Sequence, residues 1–350
     1  MTLKIVIRVD GSDTIGSGHF ARCLVLANEF RNKGCSVEFI SFKHKNNLNF
    51  LPSDASFKVH NIQSNDNIWN WKEDINWIKS NFLNLTYDLL IIDHYGIDIK
   101  WEDNVKFLAK KIFVIDDLAD RQHICDYLLD QNLVENFETR YKNIIPNYAM
   151  QFLGPKFALL RDEFLSSNIE IKRERNIVKN ILITFGGGDA SFVIIKVLKA
   201  LNELNYAIDR INLVISKNTS NLDNIKNLCK FNTELHIDCK NISSLMQEAD
   251  LCIGAGGITN WERCYLSLPS VIISLADNQV PIAQYLNAKG IVKYLGSAYS
   301  ITEIEIIKCL AEIFSSDCIL SKMSLNASKV INPKNFLGSR FICDKILETI

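Results

Sequence analysis

The sequence predicts an α/β protein of two domains, each built on a parallel sheet, and three observations carry the prediction. Short β-branched and aliphatic runs alternate with amphipathic helical stretches along nearly the whole chain. Several runs, such as Leu89-Leu90-Ile91-Ile92, are apolar at consecutive positions, the pattern of strands covered on both faces. A charged stretch from Ile169 to Asn176 breaks the alternation once, and 350 residues suffice for two domains of ordinary size.

In the first half, strands are expected at 4–9, 36–42, 88–93, 111–116 and 126–130, with helices at 20–33, 67–84 and 99–110. The helix at 20–33 repeats Cys23, Leu24, Ala27 and Phe30 at helical spacing and ends at Gly34. After the charged break the alternation restarts at Asn180–Phe185. Further strands are expected at 211–216, 234–238, 251–254, 270–275 and 291–295, and C-terminal helices at 302–316 and 335–348. The expected domains are 1–165 and 178–330, with a C-terminal helix within 331–350 that could pack back on the first domain. A ligand site is expected in the cleft between the domains, at the carboxyl ends of the strands.

A formal net charge of −1 gives no bulk attraction to nucleic acid or to an anionic membrane. The N-terminus reads as a strand, without the apolar core of a secretion signal, and no apolar run could span a bilayer. The ten cysteines are scattered without a C-x-x-C pair, as in buried reduced thiols, so the cytoplasm is the expected location.

Three glycine clusters carry the chemistry. In the first, Arg8-Val9-Asp10-Gly11-Ser12-Asp13-Thr14-Ile15-Gly16-Ser17-Gly18-His19, a strand runs into a turn and a histidine stands where a helix begins. Gly16 and Gly18 let backbone N–H groups approach a ligand, and the positive helix end disfavours imidazolium, so His19 suits the role of general base. Gly16-x-Gly18-x-x-Ala21 also matches a dinucleotide fingerprint. However, six residues separate it from the strand, and no acidic residue closes the second strand.

The second cluster, Gly186-Gly187-Gly188-Asp189, opens a helix directly after a strand and is either an anion site or a tight turn. It is not a P-loop, since no G-K-[ST] follows. In the third, Gly254-Ala255-Gly256-Gly257-Ile258-Thr259-Asn260-Trp261-Glu262, Glu262 stands three residues after Thr259. That spacing fits a helix capping box as well as a carboxylate for a ribose diol. Asp93-His94-Tyr95-Gly96 ends an apolar strand, and its polar side chains are expected to face the ligand. Asp116-Asp117 ends the next; a turn or cap role fits it better than a metal site. His44, His60, His123 and His236 are isolated and read as structural or solvated.

Arg8-x-Asp10-x-Ser12 with Ile15-Gly16-x-Gly18-His19 resembles the N-terminal signature of the UDP-2,4-diacetamido-2,4,6-trideoxy-β-L-altropyranose hydrolases of pseudaminic acid biosynthesis. Further blocks agree in order: Gly154-Pro155-Lys156-Phe157-Ala158-Leu159-Leu160-Arg161-Asp162-Glu163-Phe164, Phe185–Asp189, Gly256-Gly257-x-Thr259-x-Trp261-Glu262 and Ala276-Asp277-Asn278-Gln279. The glycine clusters are shared with the wider MurG-like glycosyltransferases. The resemblance implies a GT-B fold, two Rossmann-like domains whose parallel sheets face a central cleft. UDP would be held mainly by the C-terminal domain, and the sugar would face the N-terminal one. It implies metal-independent, inverting hydrolysis of the UDP-sugar without a cofactor, with His19 as base toward water and Glu262 on the ribose hydroxyls. Arg161, Tyr95 and Asn278 become candidate substrate contacts, beside Gly187, Gly188, Gly257 and Thr259 around the diphosphate. The alternatives are a MurG-like UDP-sugar glycosyltransferase and a non-catalytic nucleotide-sugar-binding protein. No nucleic-acid partner and no stable membrane association are expected.

Overall fold

In the computed structural model, described for residues 2–11, 18–43, 57–63, 68–82, 86–165, 175–316 and 318–350, the chain forms two compact units. The first comprises Met1–Asn132, Asn136–Arg161 and Leu337–Ile350; the second comprises Leu133–Glu135 and Asp162–Phe336.

The first unit holds β1 (Lys4–Val9), α1 (Gly18–Asn32), β2 (Ser36–Phe42), β3 (Lys58–Ile62), α2 (Trp71–Phe82), β4 (Tyr87–Asp93), α3 (Ile99–Val105), β5 (Ala109–Ile115), β6 (Tyr127–Asp130) and β7 (Met150–Leu153). Its strands form one parallel sheet in the order β3-β2-β1-β4-β5-β6-β7. Chain order reverses between β1 and β4, and such a reversal opens a crevice at the carboxyl ends of the two strands.

The uninterrupted apolar runs follow from burial on both faces. Ile5, Ile7, Leu89, Ile91, Phe113 and Ile115 enter one core with Phe20, Cys23, Leu26, Ala27 and Phe30 of α1. Val6, Leu90, Ile92, Ile112 and Val114 enter the opposite core with Ile75 and Ile78 of α2 and Trp101 of α3. Odd positions of β1, β4 and β5 therefore face α1, and even positions face α2 and α3. The helix expected over 99–110 stops at Val105, and Ala109 already belongs to β5. β3 and β7, not anticipated from the sequence, are the two edge strands of this sheet.

The second unit holds α4 (Asp162–Leu165), β8 (Asn180–Thr184), α5 (Ser191–Glu203), β9 (Arg210–Ile215), α6 (Leu222–Leu228), β10 (Thr233–Ile237), α7 (Ile242–Glu248), β11 (Leu251–Gly254), α8 (Thr259–Tyr265), β12 (Ser270–Ser274), α9 (Val280–Ala288), β13 (Lys293–Ser297), α10 (Glu303–Phe314) and α11 (Ile319–Val330). Its parallel sheet runs β10-β9-β8-β11-β12-β13, with the reversal between β8 and β11. The last helix, α12 (Gly338–Leu347), belongs to the first unit, where Ile342, Cys343 and Ile346 join the core beside α1. Lys33 of the α1 end pairs with Asp344, and the Tyr127 and Thr349 hydroxyls lie 2.6 Å apart.

Among the described residues no helix is long and apolar enough to cross a membrane. Ile342 is fully buried in the first core. Ile342→Ala is expected to destabilise the first unit by about 2–4 kcal/mol, read as a lowered denaturant midpoint for probes in that unit.

Candidate functional site

Strand parity sorts the polar residues at the carboxyl ends of β1 and β4 into two groups. Arg8 continues the even face of β1 and is buried; it donates from Nε and Nη2 to Asp74 of α2, at 3.1 and 2.6 Å. Its other donors go to Asp10, one of them Nη2 at 3.0 Å to Oδ2. Asp10 also accepts from the Phe42 N–H at 2.7 Å and lies 3.2 Å from His94 Nε2. The indoles of Trp69 and Trp101 donate to Asp74 at 2.7 and 3.2 Å. Burial would push the Asp10 carboxyl up, but Arg8 and His94 outweigh it and hold it well below the usual carboxylate range. The Arg8-x-Asp10 signature is thus a buried brace at the carboxyl ends of β1 and β4, with His94 part of it: His94 Nδ1 accepts from the Gly96 N–H at 3.0 Å.

Asp93 has odd parity and serves the other face. Its Oδ1 lies 2.6 Å from His19 Nδ1 in the first turn of α1. Arg22, one turn further, donates to Asp93 from Nε and Nη2, both at 2.6 Å. Its Nη1 reaches both oxygens of Asp117, at 2.9 and 2.8 Å. Tyr95 donates to Asp117 at 3.1 Å and meets His19 edge-on, with ring centroids 4.5 Å apart. Asn132 donates to Asp117 at 2.8 Å.

Burial favours a protonated Asp93, yet Arg22 and His19 reverse this and hold its carboxyl well below the ordinary range. An ionised carboxylate only accepts hydrogen bonds, so the proton of a neutral His19 resides on Nδ1 and Nε2 carries the lone pair. That is the orientation a general base requires.

The sequence pointed to His19, Gly18 and Tyr95, and the structure places them at the carboxyl ends of β1 and β4. Gly16 lies outside the described residues, as does His44. Arg161 follows the edge strand β7, with β5 and β6 standing between that strand and β4. Sequence reasoning missed Arg22 and Asn132, gave Asp117 only a turn or cap role where it binds Arg22, and named Asp93 without its partner. Arg22 was detectable as the residue one helical turn after His19. The Asp116-Asp117 pair divides: Asp116 makes a turn by accepting from Ala119 N–H at 2.8 Å, whereas Asp117 binds Arg22. The other isolated histidines have partners: His60 with Glu38, His123 with Glu102 and His236 with Asn212.

In the second unit, Gly186–Gly188 follow β8, and Gly256 and Gly257 follow β11, which ends at Gly254; these strands flank the chain reversal. Asn278 is exposed in a short turn after the neighbouring β12. Gly186 has φ +90, a conformation that favours glycine. A Cβ on Gly186, Gly188 or Gly257 would meet nothing within 4 Å, so these turns present bare backbone to open space. Gly254 differs: a Cβ there would lie 2.0 Å from the Thr184 carbonyl oxygen, so it serves strand packing.

The capping-box reading of Glu262 fails. Thr259 is the first residue of α8, the cap position is Ile258, and no side chain caps this helix. Glu262 is instead a buried carboxylate in the first turn. A capping box does form at Thr302 and Glu305, at the start of α10. Among the described residues no group of three or more His, Cys, Asp or Glu is arranged to hold a metal ion.

A family model described as the glycosyltransferase family 28 C-terminal domain matches residues 180–334. The UDP-2,4-diacetamido-2,4,6-trideoxy-β-L-altropyranose hydrolase of Campylobacter jejuni is 30% identical over 292 residues, which are 82% of this chain and 97% of that protein. An uncharacterised protein of Methanocaldococcus jannaschii is 31% identical over 281 residues, 77% of this chain; the match spans 55% of that relative's length. Among solved structures, Acinetobacter baumannii MurG matches with a TM-score of 0.68 over 99% of this chain and all of that one, at 16% identity. Arabidopsis thaliana UGT89C1 matches with a TM-score of 0.67 at 11% identity, over 99% of both chains. The fold is therefore of the GT-B type, with two parallel sheets flanked by helices.

Asp130, at the end of β6, is pushed up to about 7 by burial and then by Asp117, against the opposing pull of Arg140. A raised carboxyl binds its proton in the folded state while the unfolded chain has released it. Stability from this group is therefore present below about pH 4 and is lost as pH rises toward 7. Asp10 and Asp93 act oppositely, since their contribution holds above about pH 4 and is lost below it. Denaturant midpoints of the first unit are expected to fall between pH 5 and pH 7, within the range of about 4 to 7 that Asp130 spans, and Asp130→Asn should flatten that slope.

Proposed function

The chain belongs to the UDP-2,4-diacetamido-2,4,6-trideoxy-β-L-altropyranose hydrolase family, and on that premise we propose that it is an enzyme that hydrolyses such a UDP-sugar to UDP and the free diacetamido sugar. The observation that carries this reading is the 2.6 Å contact of His19 Nδ1 with the ionised Asp93 carboxylate, which aims the lone pair of the imidazole through Nε2. Nε2 takes a proton from water, and the water oxygen forms a bond to the anomeric carbon. The bond from that carbon to the diphosphate oxygen breaks, and its electron pair leaves with UDP. Asp93 stabilises the imidazolium that results.

UDP is already a good leaving group, so the protein has to position the sugar and offset diphosphate charge. The bare backbone of Gly186 and Gly188 ahead of α5, and of Gly257 ahead of α8, supplies N–H donors for the diphosphate. Buried Glu262 is a carboxylate acceptor for the ribose hydroxyls, with Thr259 and Asn278 as further polar contacts. Tyr95 and Arg161 are contacts for the sugar. The pathway implied is pseudaminic acid biosynthesis, and the location implied is the cytoplasm.

The family 28 match and the MurG-like fold favour a second reading, transfer of the sugar to an acceptor hydroxyl that His19 would deprotonate. Purified protein given the UDP-sugar alone separates the two. UDP release without acceptor is the expected result, and release only after an acceptor is added would sink the hydrolase reading. In oxygen-18 water the label should enter the sugar; label in UDP would mean attack at phosphorus.

His19→Asn is expected to abolish UDP release while UDP affinity stays within about threefold, and Asp93→Asn to lower kcat by about 10²-fold or more. Gly257→Ala should leave the unfolding temperature unchanged and weaken UDP binding about tenfold, because its Cβ fills space meant for a ligand. Gly254→Ala should instead destabilise the second unit by about 1–3 kcal/mol.

A further inference from the structure

We propose that Arg22 is a positioning residue that locks His19 and Tyr95 against each other by binding the carboxylates of Asp93 and Asp117 at once. The inference rests on the reading of His19 as the base. Five residues close a ring: His19 on Asp93, Asp93 on Arg22, Arg22 on Asp117, Asp117 on Tyr95, and the Tyr95 ring edge-on to the imidazole. Each link has hydrogen-bond or ring-contact geometry, and the Arg22 side chain is only 3% exposed.

The ring does two things that the His19–Asp93 pair alone would not. The planar guanidinium fork fixes both carboxylates in one plane of reference, so the imidazole has one orientation and Tyr95 has one distance from it. It also sets how much negative charge Asp93 presents to His19. Two Arg22 donors share that carboxylate, and Nη2 lies 3.2 Å from His19 Nδ1. Asp117 in turn draws Arg22's charge the other way through Nη1.

The charged and titratable groups facing His19 are Asp93 from the end of β4, Tyr95 from the loop behind it, and Arg22 on α1. Cys23, also on α1, places its Sγ 3.5 Å from Asp93, and Asp117 follows β5. Asp130, the last residue of β6, and Asn132 just behind it act on Asp117. Removing Arg22's charge therefore strengthens the pull of Asp93 on the imidazole proton, and removing Asp117's charge weakens it.

The test is the pH profile of kcat/KM for UDP release from the UDP-sugar, for the full chain and three variants. In Arg22→Gln the acid limb should move up by about one pH unit, and in Asp117→Asn down by about one. Arg22→Lys, which keeps the charge and loses the fork, should hold the limb within about 0.3 unit while kcat falls about tenfold and KM changes less than about threefold. A residue that only supports the fold would move both limbs alike or neither, and either result overturns the proposal. If Arg22→Gln does not fold, the near-isosteric Asp117→Asn decides alone: a downward shift upholds the ring and an unmoved limb ends it. If the wild-type protein releases no UDP, the hydrolase reading fails separately. The nitrogen-15 titration of His19, assigned with His19→Asn, then reads the ring without turnover. Its midpoint must fall in the order Arg22→Gln, wild type, Asp117→Asn from high to low, and any other order overturns the proposal.

Discussion

The first unit depends on one ionised carboxylate. Asp93 is buried where it should be neutral, and it stays charged because Arg22 and His19 both donate to it. Removing one partner from such a buried pair costs roughly 3–5 kcal/mol, so position and charge are held together. That constraint fixes the start of α1 against the end of β4. It also decides which nitrogen of His19 is free to accept a proton.

The neighbouring brace shows why the two networks coexist. Asp93 and His94 are consecutive in sequence, yet the pleat of β4 sends one to α1 and the other toward Asp10, Arg8 and Asp74. The charges of the brace are closed on one another beneath the sheet end, with indole and backbone donors completing them.

The second unit solves a different problem with fewer side chains. Its glycines at the carboxyl ends of β8 and β11 divide into those that pack and those that face open space. Gly254 has a carbonyl against it, while Gly186, Gly188 and Gly257 have nothing. In the proposed reading these bare turns suit a diphosphate, whose charge is met by several fixed backbone dipoles rather than one strong cation.

Much of this was legible in the residues alone. Apolar runs in β1, β4 and β5 predicted a doubly covered parallel sheet because periodicity is a local property, and His19 stood out because its turn and helix are contiguous in sequence. The edge strands β3 and β7 were not legible, since half-buried edges such as Lys-Val-His-Asn-Ile carry no clear apolar pattern. Nor was the fate of Glu262, whose spacing from Thr259 imitates a capping box that a one-residue shift of the helix start removes. The sequence by itself determined the fold class and singled out His19 as the candidate base. Only the tertiary structure decided what the histidine is bound to, because Asp93 and Asp117 lie 74 and 98 residues from it along the chain, a span read from the numbering. Strand order and pleat parity bring them to one point, and neither is written in any local window.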